Sequence, residues 1–279
     1  MSKFIKVPVA HVLAGEELDM LTKILNLKEI KIALDNGGFI AGGFARALLR
    51  KDPIRHYLTD YKDRCPGDID IFFKSKADAN AAIDNLGKDF YTSQGGFAKE
   101  AQSKLMFDLT GYSNWTFMIQ IVDFESLIHP TVEETLSQFD FVNCQVALVG
   151  TDLVYPQEWH DLEKDMMLKI ANNNAPFMGS RVNKYLNERG YAGLAPESQE
   201  IFQDWLIKAA TSDFEGFSDD HKRGLEYAVK TLFANGVVPK ESLILFLGKW
   251  KEVRFKGTYT TASAYEIDWA HSAIEQTCV

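Results

Sequence analysis

The chain has 279 residues, of which 46% are apolar and 25% charged, and carries a formal net charge of −9. That length supports a sizeable core and about two domains; no apolar run approaches the roughly 18 residues needed to span a membrane, and the acidic balance weighs against a broadly basic nucleic-acid-binding surface. Cys65, Cys144 and Cys278 are scattered, without C-x-x-C spacing, which argues against a zinc site and a secreted disulfide framework. The opening MSKFIKVPVAHV lacks the apolar core and cleavage site of a signal peptide. A cytoplasmic protein with no membrane association is expected.

In chain order, EELDMLTKILNLKEI carries apolar residues at helical spacing, so residues 11–31 read as a helical lead. Either IKIAL or FIAGG supplies a strand, which turns at Gly42-Gly43 into a helix over 43–50. A polar loop leads to a strand over 68–73. SKADANAAIDNLG reads as a helix with Ser75 as N-cap and Gly87 as stop. TFMIQIVDF reads as a strand at 116–124, and HPTVEETLSQFDFVNCQVALVG as a helix entered through Pro130. A hairpin is expected around Gly150-Thr151, and from about 158 onward the spacing is helical. The expected architecture is α+β: a small mixed-sheet head over 1–157, then an all-helical tail over 158–279.

Two segments carry chemistry. In PGDIDIFF, Asp68 and Asp70 alternate with Ile69, Ile71 and Phe73. Residues two apart on a strand share a face, so both carboxylates point one way and the apolar side chains point into a core. Two close carboxylates repel unless a cation lies between them. Hard oxygen ligands of this kind suit Mg²⁺, which binds through one or two carboxylates together with substrate phosphates. In IAGGFARALL, the Gly42-Gly43 step enters a helix, and bare amides at a helix N-terminus suit a phosphate. Together they read as a nucleoside-triphosphate and metal site for phosphoryl transfer. The same glycines also suit ordinary turns, and DIDIFF also suits an edge strand with solvated carboxylates.

Ile40, Gly42, Gly43, Ala45, Arg46, Leu48 and Leu49, followed by Asp68 and Asp70, resemble the first motif of the DNA polymerase beta superfamily of nucleotidyltransferases. Within it the chain is most similar to the head of the tRNA nucleotidyltransferase (CCA-adding) and poly(A) polymerase group. Ala47 stands where that group usually has Asp, and the gap before Asp68 is longer. FDFVNCQVAL resembles a second motif, R-D-F-T-I-N-A-L-A, through Asp140, Phe141, Asn143 and Ala147, with Phe139 in place of the leading Arg. The resemblance implies two-metal transfer with Asp68 and Asp70 bridging Mg²⁺ ions. It also implies Gly42, Gly43, Arg46, Asp140 and Asn143 around the nucleotide, and a third carboxylate from a neighbouring strand. Asp123, at the end of FMIQIVD, is the candidate, with Glu125 in reserve; Asp123 shares its strand parity with Ile121, not with Gln120. Asp140 also suits a plain N-cap.

RVNKYLNERGY resembles the end of that family's neck, through Arg181, Lys184, Tyr185, Gly190 and Tyr191. The preceding base-reading positions hold Asn174, Ala175 and Met178, of which only Asn174 offers side-chain hydrogen bonds, so weak base discrimination is implied. In GKWKEVRFKG, Lys249, Lys251, Arg254 and Lys256 interleave with Trp250 and Phe255, a pattern that suits a single-stranded acceptor as well as a solvated amphipathic face. The expected activity is transfer of NMP from an NTP to an acceptor hydroxyl such as an RNA (tRNA) 3′ end. Nucleotidylation of a protein or small molecule, and a catalytically silent binding module, stand as alternatives.

Overall fold

The computed structural model describes residues 3–58, 67–87, 91–92, 99–107, 113–172, 181–182 and 184–211. The chain divides into two units, Met1–His160 and Asp161–Val279. The first is built on a mixed sheet of β1 (Phe4–Pro8), β2 (Phe39–Ala41), β3 (Asp68–Phe72), β4 (Tyr91–Thr92), β5 (Lys99–Phe107), β6 (Ser113–Ile121), β7 (Ala147–Val149) and β8 (Asp152–Pro156). Its eight strands run in the order β1-β8-β7-β2-β3-β6-β5-β4. Every neighbouring pair is antiparallel except β3 and β6, which are parallel.

Strand alternation gives this sheet two unlike faces. Ile40, Ile69, Ile71, Phe73, Ile119, Ile121, Leu148 and Leu153 form one core with residues of α1 (Glu16–Leu25), α2 (Lys28–Asp35), α3 (Gly43–Arg50), α4 (Ile54–Leu58) and α5 (Lys76–Leu86). The opposite parity, Phe39, Ala41, Phe72, Val122, Ala147 and Val154, packs with Val132 and Leu136 of the short helix α6 (Val132–Ser137). Asp68 and Asp70 belong to that second parity, at the end of β3 that enters the sheet, and both are partly exposed.

Several elements differ from the expectation. IKIAL is helical because its apolar residues also fit a helix: Ile30 and Ala33 lie three apart and are both buried in α2. The polar loop after α3 contains α4, and the helical lead is split at Asn26-Leu27 and preceded by β1. The helix from Pro130 is six residues long. Thr131 caps it reciprocally with Glu134, but beyond Gln138 tertiary hydrogen bonds replace helical ones. The Asn143 carbonyl accepts from the Trp159 indole at 3.0 Å, and the Val146 carbonyl accepts from the Gly42 amide at 2.9 Å. Only a single 3-10 turn, Val142–Cys144, interrupts that stretch. The expected Ser75 cap and Gly87 stop of α5 are present, and Gly150-Thr151 closes the β7–β8 hairpin.

In the second unit, the segment after α7 (Trp159–Lys164) forms a two-residue parallel pair of β9 (Met167–Leu168) with β10 (Gly193–Leu194), which the helical spacing of the sequence does not announce. Helix α8 (Pro196–Thr211) follows. Lys169 Nζ lies 3.0 Å from Glu197 Oε1 in the first turn of α8. A backbone hydrogen bond and then Lys169 hold the Glu197 carboxyl below its ordinary pKa.

Candidate nucleotide and metal site

The site begins where β2 runs into α3. Gly42 adopts φ 82°, ψ −134°, a region that side-chain-bearing residues rarely enter. In that conformation its amide donates to Val146, and its carbonyl accepts the first helical bond, from Arg46 N, at 2.9 Å. No side chain caps α3, and its first turn holds no acidic residue. The start of α3 thus offers amide donors and a positive dipole end that no side chain of its own turn caps.

The strand register brings the carboxylates to this turn. Ala41 is the partner of Asp70 across β2–β3. A Cβ at Gly42 would sit 3.7 Å from Asp70 Oδ2 and 3.6 Å from the Phe139 ring. Asp68 lies one step along the same face of β3. The glycine turn, the helix start and the D-x-D strand are therefore assembled at one place. Phe139 is part of it: its ring meets Phe72 at 5.3 Å with a tilt of 44°, and Phe72 stacks on Phe39 at 6.1 Å.

Arg46 is in the first turn of α3 and is buried. The Val142–Cys144 turn packs against α3, which brings Asn143 to the same helix, but Asn143 is closed off from solvent. Asp140 is half-buried and lies before that turn, not at the N-cap of an α-helix.

Asp123 does not complete a carboxylate trio. The β3–β6 register sets Gln120 beside Asp70 and Met118 beside Asp68, so the odd residues of β6 face the helical core. Asp123 lies just past the end of β6, where Lys76 Nζ of α5 holds its Oδ2 at 3.2 Å and its carbonyl at 2.6 Å. Among the described residues, no group of three His, Cys, Asp or Glu is arranged to hold a metal; Glu125 lies in the 3-10 turn Glu125–Leu127 that follows Phe124. Asp68 and Asp70 still fit Mg²⁺ as a two-carboxylate seat, in which substrate phosphates and water supply the remaining ligands. The base-reading positions Asn174, Ala175 and Met178, and the acceptor candidates Lys249, Lys251, Arg254 and Lys256, lie outside the described residues.

Sequence reasoning passed over Tyr57 of α4. Its hydroxyl donates to the Asp68 carbonyl at 3.2 Å, its carbonyl accepts from the Gly67 amide at 2.8 Å, and its ring lies against Gly43 and Gly67. The available signal was the pair of glycines flanking the two motifs.

Comparison with known proteins gives two results. A family model for Gabija anti-defense 2 family proteins matches residues 15–165. Solved structures with a similar fold include a CCA-adding enzyme in complex with CTP, at 15% identity and TM-score 0.52, over 93% of this chain and 57% of that one. The complex of a CCA-adding enzyme with ATP gives 15% identity and TM-score 0.50, over 93% of this chain and 59% of that one. The chain thus spans somewhat over half the length of those enzymes, and the likeness is one of nucleotidyltransferase-type fold. No curated protein matches the sequence.

Proposed function

This chain belongs to the Gabija anti-defense 2 family, and we propose that it is a Mg²⁺-dependent nucleotidyltransferase that counters Gabija defence by transferring NMP from an NTP to a component of that defence. The observation that carries the reading is the convergence of Asp70 on the Gly42 turn, with Asp68 on the same strand face. A triphosphate at the start of α3 places its phosphates beside the two carboxylates. Bound Mg²⁺ would neutralise charge on those phosphates and lower the pKa of an attacking hydroxyl. Gly42, whose own amide is spent on the Val146 carbonyl, shapes the turn without a side chain, the amides from Gly43 onward face the triphosphate, and Arg46 offsets charge that develops on it. In the balanced step, the acceptor oxygen attacks the α-phosphorus, the bond to the β-phosphate oxygen breaks, pyrophosphate leaves, and the hydroxyl proton passes to solvent.

A protein acceptor agrees with the net charge of −9, which disfavours a broad grip on nucleic acid. The second reading, an RNA 3′ end, draws on the fold shared with CCA-adding enzymes and on the interleaved bases and aromatics over 249–256. One experiment separates them: the chain is incubated with each α-labelled NTP, Mg²⁺ and either a purified Gabija complex or total RNA. Label in the protein fraction supports the first reading, and label in RNA the second. Label in neither, with Gabija still inhibited, leaves binding without catalysis as the anti-defence mode.

A further inference from the structure

We propose that Tyr57 is a positioning residue that clasps the phosphate-binding turn to the metal-binding strand; its functional consequence rests on the nucleotidyltransferase reading above. Gly43 opens α3 and Gly67 directly precedes Asp68, so the two glycines stand at the two halves of the site. Neither has a positive φ, so backbone conformation does not require glycine at either position. Space does. A Cβ on Gly43 would collide with the Tyr57 hydroxyl, and a Cβ on Gly67 would collide with the ring carbons Cε1, Cδ1 and Cζ.

The same side chain is tied to the strand by polar contacts. Its hydroxyl donates to the Asp68 carbonyl at 3.2 Å, and its carbonyl accepts from the Gly67 amide at 2.8 Å. Its ring meets Phe44 of α3 edge-on at 5.7 Å, which orients it from the helix side. One half-buried tyrosine therefore bridges the start of α3 and the start of β3, adding a polar tie to two elements that already pack through the shared apolar core. Phosphoryl transfer depends on the spacing between phosphate donors and metal ligands, and small misplacements cost large factors in rate. Fixing that spacing before the ligand arrives is the role the contacts assign to Tyr57.

The test has two arms. The first is a melting cycle that needs no activity. Gly43→Ala lowers the melting temperature by about 5 °C in the wild-type background, through overpacking against the hydroxyl. In Tyr57→Phe the cost largely vanishes, because the next atom, Cζ, lies 3.4 Å from that Cβ. Gly67→Ala remains costly in both backgrounds, since the ring carbons persist. The second arm measures tripolyphosphate binding with Mg²⁺ by calorimetry, well below the melting point of either protein. Tyr57→Phe weakens it about fivefold, the effect of one lost hydrogen bond. An equal cost of Gly43→Ala in both backgrounds overturns the clasp, and equal affinities of wild type and Tyr57→Phe overturn the positioning role. If the wild type itself fails to bind tripolyphosphate, the nucleotide reading falls and the positioning role with it, while the melting cycle still decides the clasp.

Discussion

Replacing Asp68 by Asn removes one of two like charges without touching the core, because Ile69, Ile71 and Phe73 carry the packing of this segment. Residues two apart on a strand are separated by about 6.6 Å. Two unit charges at that distance repel by about 0.6 kcal/mol at the dielectric of water and by about 2.5 kcal/mol at an effective dielectric of 20. Both carboxylates are partly exposed, which places the repulsion toward the lower figure. Without metal, Asp68→Asn therefore melts at or up to about 2 °C above the wild type, at 2–4 °C per kcal/mol for a chain of this size. With Mg²⁺ and NTP at about a hundred times the dissociation constant, ligand linkage stabilises the wild type by about 2.7 kcal/mol, a rise of about 8 °C. The variant loses most of that rise. Thermal melts with and without Mg²⁺ plus NTP read both effects. A variant that melts lower without metal and keeps the full ligand shift would refute the two-carboxylate seat, because Asp68 would then be a structural residue.

Three further outcomes follow from the same geometry. Gly42→Ala has room for its Cβ, with neighbours at 3.6 and 3.7 Å, so its cost is conformational; about 1–3 kcal/mol of lost stability is expected in denaturant unfolding. Asp123→Asn breaks a partly exposed pair with Lys76 and costs under about 1 kcal/mol, while nucleotidyl transfer measured with labelled NTP stays intact; loss of transfer would return Asp123 to the catalytic set. The Glu197 carboxyl has a lowered pKa in the folded chain, so its contribution is present above the ordinary Glu pKa of about 4.3 and is lost as pH falls through the lower folded value. Acid titration of stability should accordingly be shallower in Glu197→Gln, and an unchanged slope would remove the Lys169–Glu197 pair from the account.

The geometry of the candidate site was legible in the sequence where local pattern alone determines it. The alternation around Asp68 and Asp70 fixed their common face, and Gly42 could be read as a turn because its backbone demands glycine. The parity of Asp123 could be counted from Ile121, but its partner Lys76 lies far off in sequence and could not. The helix read from Pro130 ends at Ser137, where Gln138 and Phe139 turn to i−3 bonds with Thr135 and Leu136, and farther on the carbonyls of Asn143 and Val146 are taken by Trp159 and Gly42, partners set by the tertiary fold. Gly43 was legible as a glycine but not for its reason: the sequence offers close approach of a phosphate, whereas the structure adds the Tyr57 hydroxyl as the atom that excludes a side chain. IKIAL shows the opposite limit, since a short apolar run fits a strand and a buried helix equally well until its neighbours choose.

The central claim is that Asp68 and Asp70 form the metal seat of a nucleotidyltransferase. Its most direct test is transfer of α-labelled NMP, with Mg²⁺ and a purified Gabija complex as acceptor, by the wild type and by the Asp68→Asn, Asp70→Asn double variant at matched folded concentration. The account predicts label on the acceptor and released pyrophosphate with the wild type, and neither with the double variant. Equal transfer by the double variant would place the chemistry elsewhere in the chain and contradict the account.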